Sequence, residues 1–210
     1  MDSRRAGAPE TLVKRDERLT WGLVDFAVGR LGSRWADEAF REYVSPLVAG
    51  TEHLSLFLAW ALHHWRAEDG RTVREAFLER HGDSLPVEDR AWLRSQAAAR
   101  ISFWEVREVI PEVGVKVKDL LGDETRFVLL ERRSGWLPER SVWLGRVVEH
   151  ERVSLYRGLH AGCLGPPVVD LLVKATLEAL RGASGREEQV KRILTTWAGY
   201  YAPVAGTQPC

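Results

Sequence analysis

Residues 102–160, SFWEVREVIPEVGVKVKDLLGDETRFVLLERRSGWLPERSVWLGRVVEHERVSLYRGLH, decide how this chain folds. On either side apolar residues recur at helical spacing; inside this stretch they alternate with polar ones, the period of strands. Val106 and Val109 supply β-branching, and Ser102–Ile110 reads as a strand. Pro111 to Gly114 turns the chain. Val115 and Val117 then alternate with Lys116 and Lys118 in a second strand that closes at Gly122-Asp123. Arg126–Arg132 is a third strand, and Gly135–Glu139, with Trp136 and Pro138, is a loop. Ser141–His150 is a fourth, with Gly145 as a bulge or bend, and Arg152–Arg157 is a fifth. Five short strands with tight turns suit a small five-stranded antiparallel β-barrel or an open curled sheet, since closure removes exposed edges.

Working outward, the preceding residues are helical. Leu12, Leu19, Leu23, Phe26, Ala27 and Leu31 share one side of a helix that Gly32 can end. A second helix covers Arg34–Val44, before Ser45-Pro46 breaks it. The third, HLSLFLAWALHHW, is apolar all round and therefore belongs at the centre. Thr72 with Glu75 makes a capping box for the fourth, and Pro86 opens the fifth, which runs to about Arg100. Downstream, Pro166-Pro167 lead into one more helix and Ser184 caps the last. The expected fold class is α+β: a helical domain over residues 10–100, a small β-module over 101–160, two C-terminal helices over 161–201 packing back on one or both of these, and a loose tail at 202–210.

Composition narrows the function. The chain has 210 residues, is 45% hydrophobic and balances 30 basic against 30 acidic side chains. Zero net charge disfavours non-specific nucleic-acid binding, which needs a basic field. The first residues are basic without an apolar run behind them, and Leu54–Leu62 is too short to span a bilayer, so a cytoplasmic protein without membrane contact is expected. Two cysteines, Cys163 and Cys210, do not make a disulfide framework.

No residue set marks a reaction. His63 and His64 point about 100° apart on a helix and cannot share a metal as an i, i+4 pair does. Cys163 precedes a helix start with His160 three residues before it, but a cysteine in apolar surroundings is ordinarily a packing residue. Most of the nine tryptophans (Trp35, Trp60, Trp65, Trp92, Trp104, Trp143) stand at core-facing positions, with Trp21 and Trp197 less defined. The best surface candidate is Arg132, Arg133 and Ser134 beside Trp136, with Lys116 and Lys118 on a neighbouring strand. Arginine beside an exposed aromatic engages phosphates, bases or acidic peptides. No catalytic residue, metal or cofactor is assigned.

The order SFWEV (102–106), GVKVKDLLGDE (114–124), ERRS (131–134) and WLGRVV (143–148) follows FLAWALHHW (57–65) and GRTVREAFLERHG (70–82). From Leu19 to Gly158 this arrangement resembles uncharacterised bacterial proteins that often carry a SEC-C motif. That resemblance implies no reaction. The SEC-C motif itself, a zinc knuckle of the CxCx8C(H/C) type that implies protein contacts, is absent, and Pro209-Cys210 stands where one would begin. Either the zinc site is lost or the chain is truncated, so zinc is not carried over. The expectation is a non-enzymatic interaction or adaptor protein whose β-module binds a protein partner. A nucleic-acid-associated protein using Arg132, Arg133, Lys116, Lys118 and Arg126 is the first alternative. An enzyme with a pocket between helices and β-module, lined by residues such as His63, His64 or His160, is the second. Oligomeric state stays open.

Overall fold

The structure, a computed structural model, describes residues 9–43, 54–129 and 137–201. Five helices come first: α1 (Pro9–Leu31), α2 (Trp35–Tyr43), α3 (Leu54–His63), α4 (Val73–His81) and α5 (Val87–Ala98). Five strands follow: β1 (Arg100–Ile110), β2 (Gly114–Asp119), β3 (Thr125–Leu129), β4 (Val142–His150) and β5 (Val153–Leu164). Helices α6 (Pro166–Leu180) and α7 (Arg186–Tyr201) close the described chain. The protein is thus a mixed helix and sheet fold.

The helices form where local chemistry dictates. Leu19, Leu23 and Ala27, four residues apart on α1, make its buried stripe. Asp89 on α5 is buried and takes Arg15 (3.3 Å) and Arg18 (2.8 Å) of α1, tying the two helices together. Thr72 and Glu75 form both halves of the capping box on α4. Helix α3 buries Leu56, Trp60, Ala61 and Leu62 and lies against β5. Gly158 of β5 makes this approach possible. Its φ is +107°, and a Cβ there would stand 3.1 Å from Leu56 Cα, so only glycine fits.

The strand order is β1-β2-β3-β5-β4, and β4 returns to pair with β1, so the ring of hydrogen bonds closes. An antiparallel arrangement throughout was the sequence expectation, and it is corrected here: β3 and β5 run parallel, with Val128 opposite Ser154 and Leu129 opposite Leu155. Parity is the reason. Directions that alternate around a closed ring of five must clash once, so one neighbouring pair has to be parallel. Strand β5 also runs to Leu164, well beyond the expected end at Arg157. Gly145 marks register shifts against β5, as a bulge residue should.

Alternation along the strands feeds two cores. Trp104, Val106, Val115, Val117, Val128, Trp143, Val147 and Cys163 fill the inside of the ring. Their neighbours Ile101, Phe103, Leu144, Val148, Leu155 and Leu164 point outward into the helical layer. Strand β4 is therefore buried on both faces, and only Glu149 along it is exposed. Trp35, Trp60, Trp65, Trp92 and Trp197 complete the helical core, whereas Trp21 is 64% exposed.

Gly114 sits at the tight start of β2. A Cβ at this position would overlap the carbonyl oxygen of Val128 and come 2.8 Å from Phe127 Cζ. The obstructing group is ladder backbone and cannot swing aside. Gly114→Ala is expected to cost about 1–3 kcal/mol, the range for overpacking. A denaturant midpoint equal to that of the parent would contradict this.

Candidate functional site

The helices cover β4, β5 and the first half of β1, leaving the outer face of β2, β3 and the end of β1 open. The pairing Glu108–Lys116–Phe127 runs straight across this face. Ile110, opposite Gly114, and Val113 in the β1–β2 turn adjoin Phe127, whose ring lies over the glycine. Ile110, Val113 and Phe127 are 38%, 48% and 40% exposed, so three large apolar side chains meet solvent at one corner of the sheet. Sequence reading passed over all three: Ile110 and Phe127 sit in strand patterns that look like core, and Val113 falls in the turn between two strands.

Lys116 and Lys118 alternate outward on β2 as expected, but neither contributes to a continuous positive surface. Lys118 is bound by Asp123 at 2.6 Å. Lys116 faces Glu108 across the ladder. Arg126 is held by Glu124 and Glu149 at 2.7 and 2.8 Å. Lys116 and Lys118 on the outer face are thus each matched by an acid, and Arg126, which shares its side of the sheet with Val117, is matched at the end of the ring. The other members of the corner singled out in the sequence, Arg132, Arg133, Ser134 and Trp136, lie outside the described residues.

A second polar region lies where the helical layer meets the sheet. Arg146 of β4 is 0% exposed. Its guanidinium donates to Gln96 Oε1 at 2.6 Å, to the Gln96 carbonyl, and through Nε to His64 Nε2 at 3.2 Å. All three acceptors are neutral. Burial pulls its pKa down to about 9, so the group still carries its charge at neutral pH. Because His64 Nε2 accepts, the hydrogen-bond network places the imidazole proton on Nδ1. Burial first, then Arg146, Arg186 and Arg74, lower the His64 pKa to about 2. His63 is also held well below its ordinary value, by complete burial and the Arg146 charge. Both rings are therefore neutral.

The same seam continues through Gln96 to Asp16 of α1. Asp16 accepts from Trp92 Nε1 (2.8 Å) and Gln96 Nε2 (3.1 Å) and pairs with Arg157 Nε of β5 (3.0 Å). Burial raises its carboxyl pKa despite Arg157. This set links α1, α3, α5, β4 and β5. Sequence reading noticed His63 and His64 but had no sign of Arg146, which looked like one more polar residue of an alternating strand.

The remaining candidates are structural. His160 packs edge-on against Trp197 and Tyr201, and its Nδ1 receives the Gly162 N–H at 3.0 Å. Cys163 lies inside the sheet and is disulfide-bonded, so it offers no thiolate nucleophile. Among the described residues no three His, Cys, Asp or Glu side chains converge as metal ligands, and no helix is long and apolar enough to cross a membrane. Comparison with family models, curated proteins and solved structures finds no match for this chain.

Proposed function

We propose that the chain is a non-enzymatic interaction protein whose closed sheet, read as a small barrel, binds a protein partner through the open face of β1–β3. The observation that carries this reading is the exposed trio Ile110, Val113 and Phe127. Solvent exposure of three adjacent apolar side chains costs free energy in the isolated chain and is recovered when a partner covers them. Flanking charges of both signs, Glu108 and Lys116, give the rim a polar character suited to a peptide or protein surface.

The test compares affinity capture of the parent chain with that of Phe127→Asp from cells that make it. Phe127 is exposed, so the variant should keep its fold, as circular dichroism would verify. A protein recovered with the parent and at least about tenfold depleted with the variant is the expected result, the loss of one apolar anchor at an interface. Equal recovery, or recovery only of further copies of the chain, would overturn it.

One observation favours a second reading. The order β1-β2-β3-β5-β4 with β3 parallel to β5 is that of the OB fold, whose strand 2–3 face takes oligonucleotides, and Phe127 beside Lys116 could stack a base there. Fluorescence anisotropy with an oligo-dT strand separates the two. Salt-sensitive binding lost in Phe127→Asp would favour nucleic acid, but the balanced charge of the face leads us to expect none.

A further inference from the structure

A pocket of about 210 Å³ opens between the end of α3, the start of β1 and the first turns of α7. It shares no residue with the open face of the sheet, so the two assignments stand or fall separately. Arg100 and Arg186 are at its mouth, both solvent-reachable, and His64 lines it together with Ser102, Asp119 and Gln189. Its charge is lopsided. Among the described residues neither Arg100 nor Arg186 makes a salt bridge to a carboxylate. Arg186 is oriented instead by a hydrogen bond to the Ala97 carbonyl at 2.5 Å. Asp119 is the single carboxylate in the lining, and its Oδ1 is already taken by the Ser102 hydroxyl and the Leu121 N–H.

Behind the lining stands more positive charge. Arg146, fully buried, points its Nε–H at His64 and meets only neutral acceptors. Arg74 is buried as well; one of its terminal nitrogens pairs with Glu75 at 3.4 Å, while its Nε finds no hydrogen-bond partner. Arg74, Arg146 and Arg186 all act on His64, and Arg100 acts on Arg186, so these cations share one neighbourhood. Gathering like charges in a partly desolvated space is unfavourable unless an anion enters it.

We infer that this pocket binds a phosphate group, with Arg100 and Arg186 contributing guanidinium donors at the mouth and His64 the Nδ1–H at the floor. The neutral tautomer set by Arg146 makes His64 a fixed donor and leaves it no acceptor lone pair to repel the oxyanion. Arginine forks suit phosphate oxygens better than a point charge does. The volume admits a phosphate with a small organic group, and is below the range of about 300–1,000 Å³ usual for drug-sized ligands.

The experiment is isothermal titration of the full chain with inorganic phosphate at constant ionic strength, beside titration with acetate. Saturable one-site phosphate binding is expected, weakened about tenfold or more in Arg186→Gln and in Arg100→Gln, the loss of one charge-assisted contact. Arg94→Gln, on α5 and outside the lining, should bind as the parent does. Both pocket variants remove an exposed side chain and should unfold at the parent temperature without phosphate. Absent heat, equal affinity in all variants, or acetate binding as tightly as phosphate would overturn the inference.

Discussion

Arg146→Ala is expected to destabilise the protein by about 3–5 kcal/mol, the largest single effect in this chain. The magnitude is that for breaking a buried, hydrogen-bonded charge network by removing one member. Truncation strips donors from Gln96 Oε1, the Gln96 carbonyl and His64 Nε2 together, and each buried acceptor left alone costs about 1–3 kcal/mol before relaxation. Arg146→Lys should recover little. A single ammonium on a flexible stem cannot span acceptors on both α3 and α5 as a planar fork does. Arg146→Met keeps most of the volume and so separates packing from hydrogen bonding: if it is as stable as the parent, the network is dispensable. Denaturant unfolding of the three variants is the measurement.

Acid is expected to unfold the chain well above the usual carboxylate range, because of His63 and His64. In the folded state both pKa values lie far below the ordinary 6.5, to about 2 for His64, chiefly through burial. The unfolded chain therefore binds protons below pH 6.5 that the folded chain refuses. Their contribution is fully present above pH 6.5 and is lost as pH falls towards the folded values. For His64 this costs about 1.4 kcal/mol per pH unit, roughly 2–3 kcal/mol between pH 6.5 and 4.5, and His63 adds to the loss in the same direction. Asp16 works in the opposite sense, since burial raises its pKa and protonation relieves the folded state. Unfolding free energies at pH 7.5, 6.0 and 4.5 give the slope. His64→Gln, which keeps a neutral acceptor for Arg146, should lower that slope by about 1.4 kcal/mol per pH unit below pH 6. A slope unchanged in this variant would show that other groups set the acid limit.

These two effects arise from a seam that the sequence shows only in fragments. His63 and His64 were visible as a pair, and their helical geometry spoke against a shared metal. Burial is the main reason they stay neutral; the charge that adds to it comes from Arg146 of β4, about eighty residues later, and nothing in the local pattern singles out that arginine. Arg146 occupies a position that looks polar and outward. It does face outward from the ring, yet the outside of β4 is covered by helices, so an outward polar residue there is buried. The same covering explains why the exposed trio was missed. Ile110 and Phe127 have the pattern of core strands and Val113 stands in the turn beside them; among the described residues no helix covers this end of β1, β2 and β3, so all three meet solvent. Cys163, read from its neighbours as a residue ahead of a helix, proves to end a long strand inside the ring.

By itself the sequence determined the order and type of the elements, because helical spacing, strand alternation, the Thr72–Glu75 cap and the Gly145 bulge are short-range signals carried within a few residues. It also set Val115 and Val117 in alternation with Lys116 and Lys118, which leaves the two valines one apolar face, and marked Trp104 as core-facing. The tertiary structure decided which face of each strand meets helices and which meets water, and it decided the direction of β5 beside β3. Those outcomes follow from closure of a five-membered ring and from where the helical layer lands on it. Both bring together residues distant in the chain, and no local period records them.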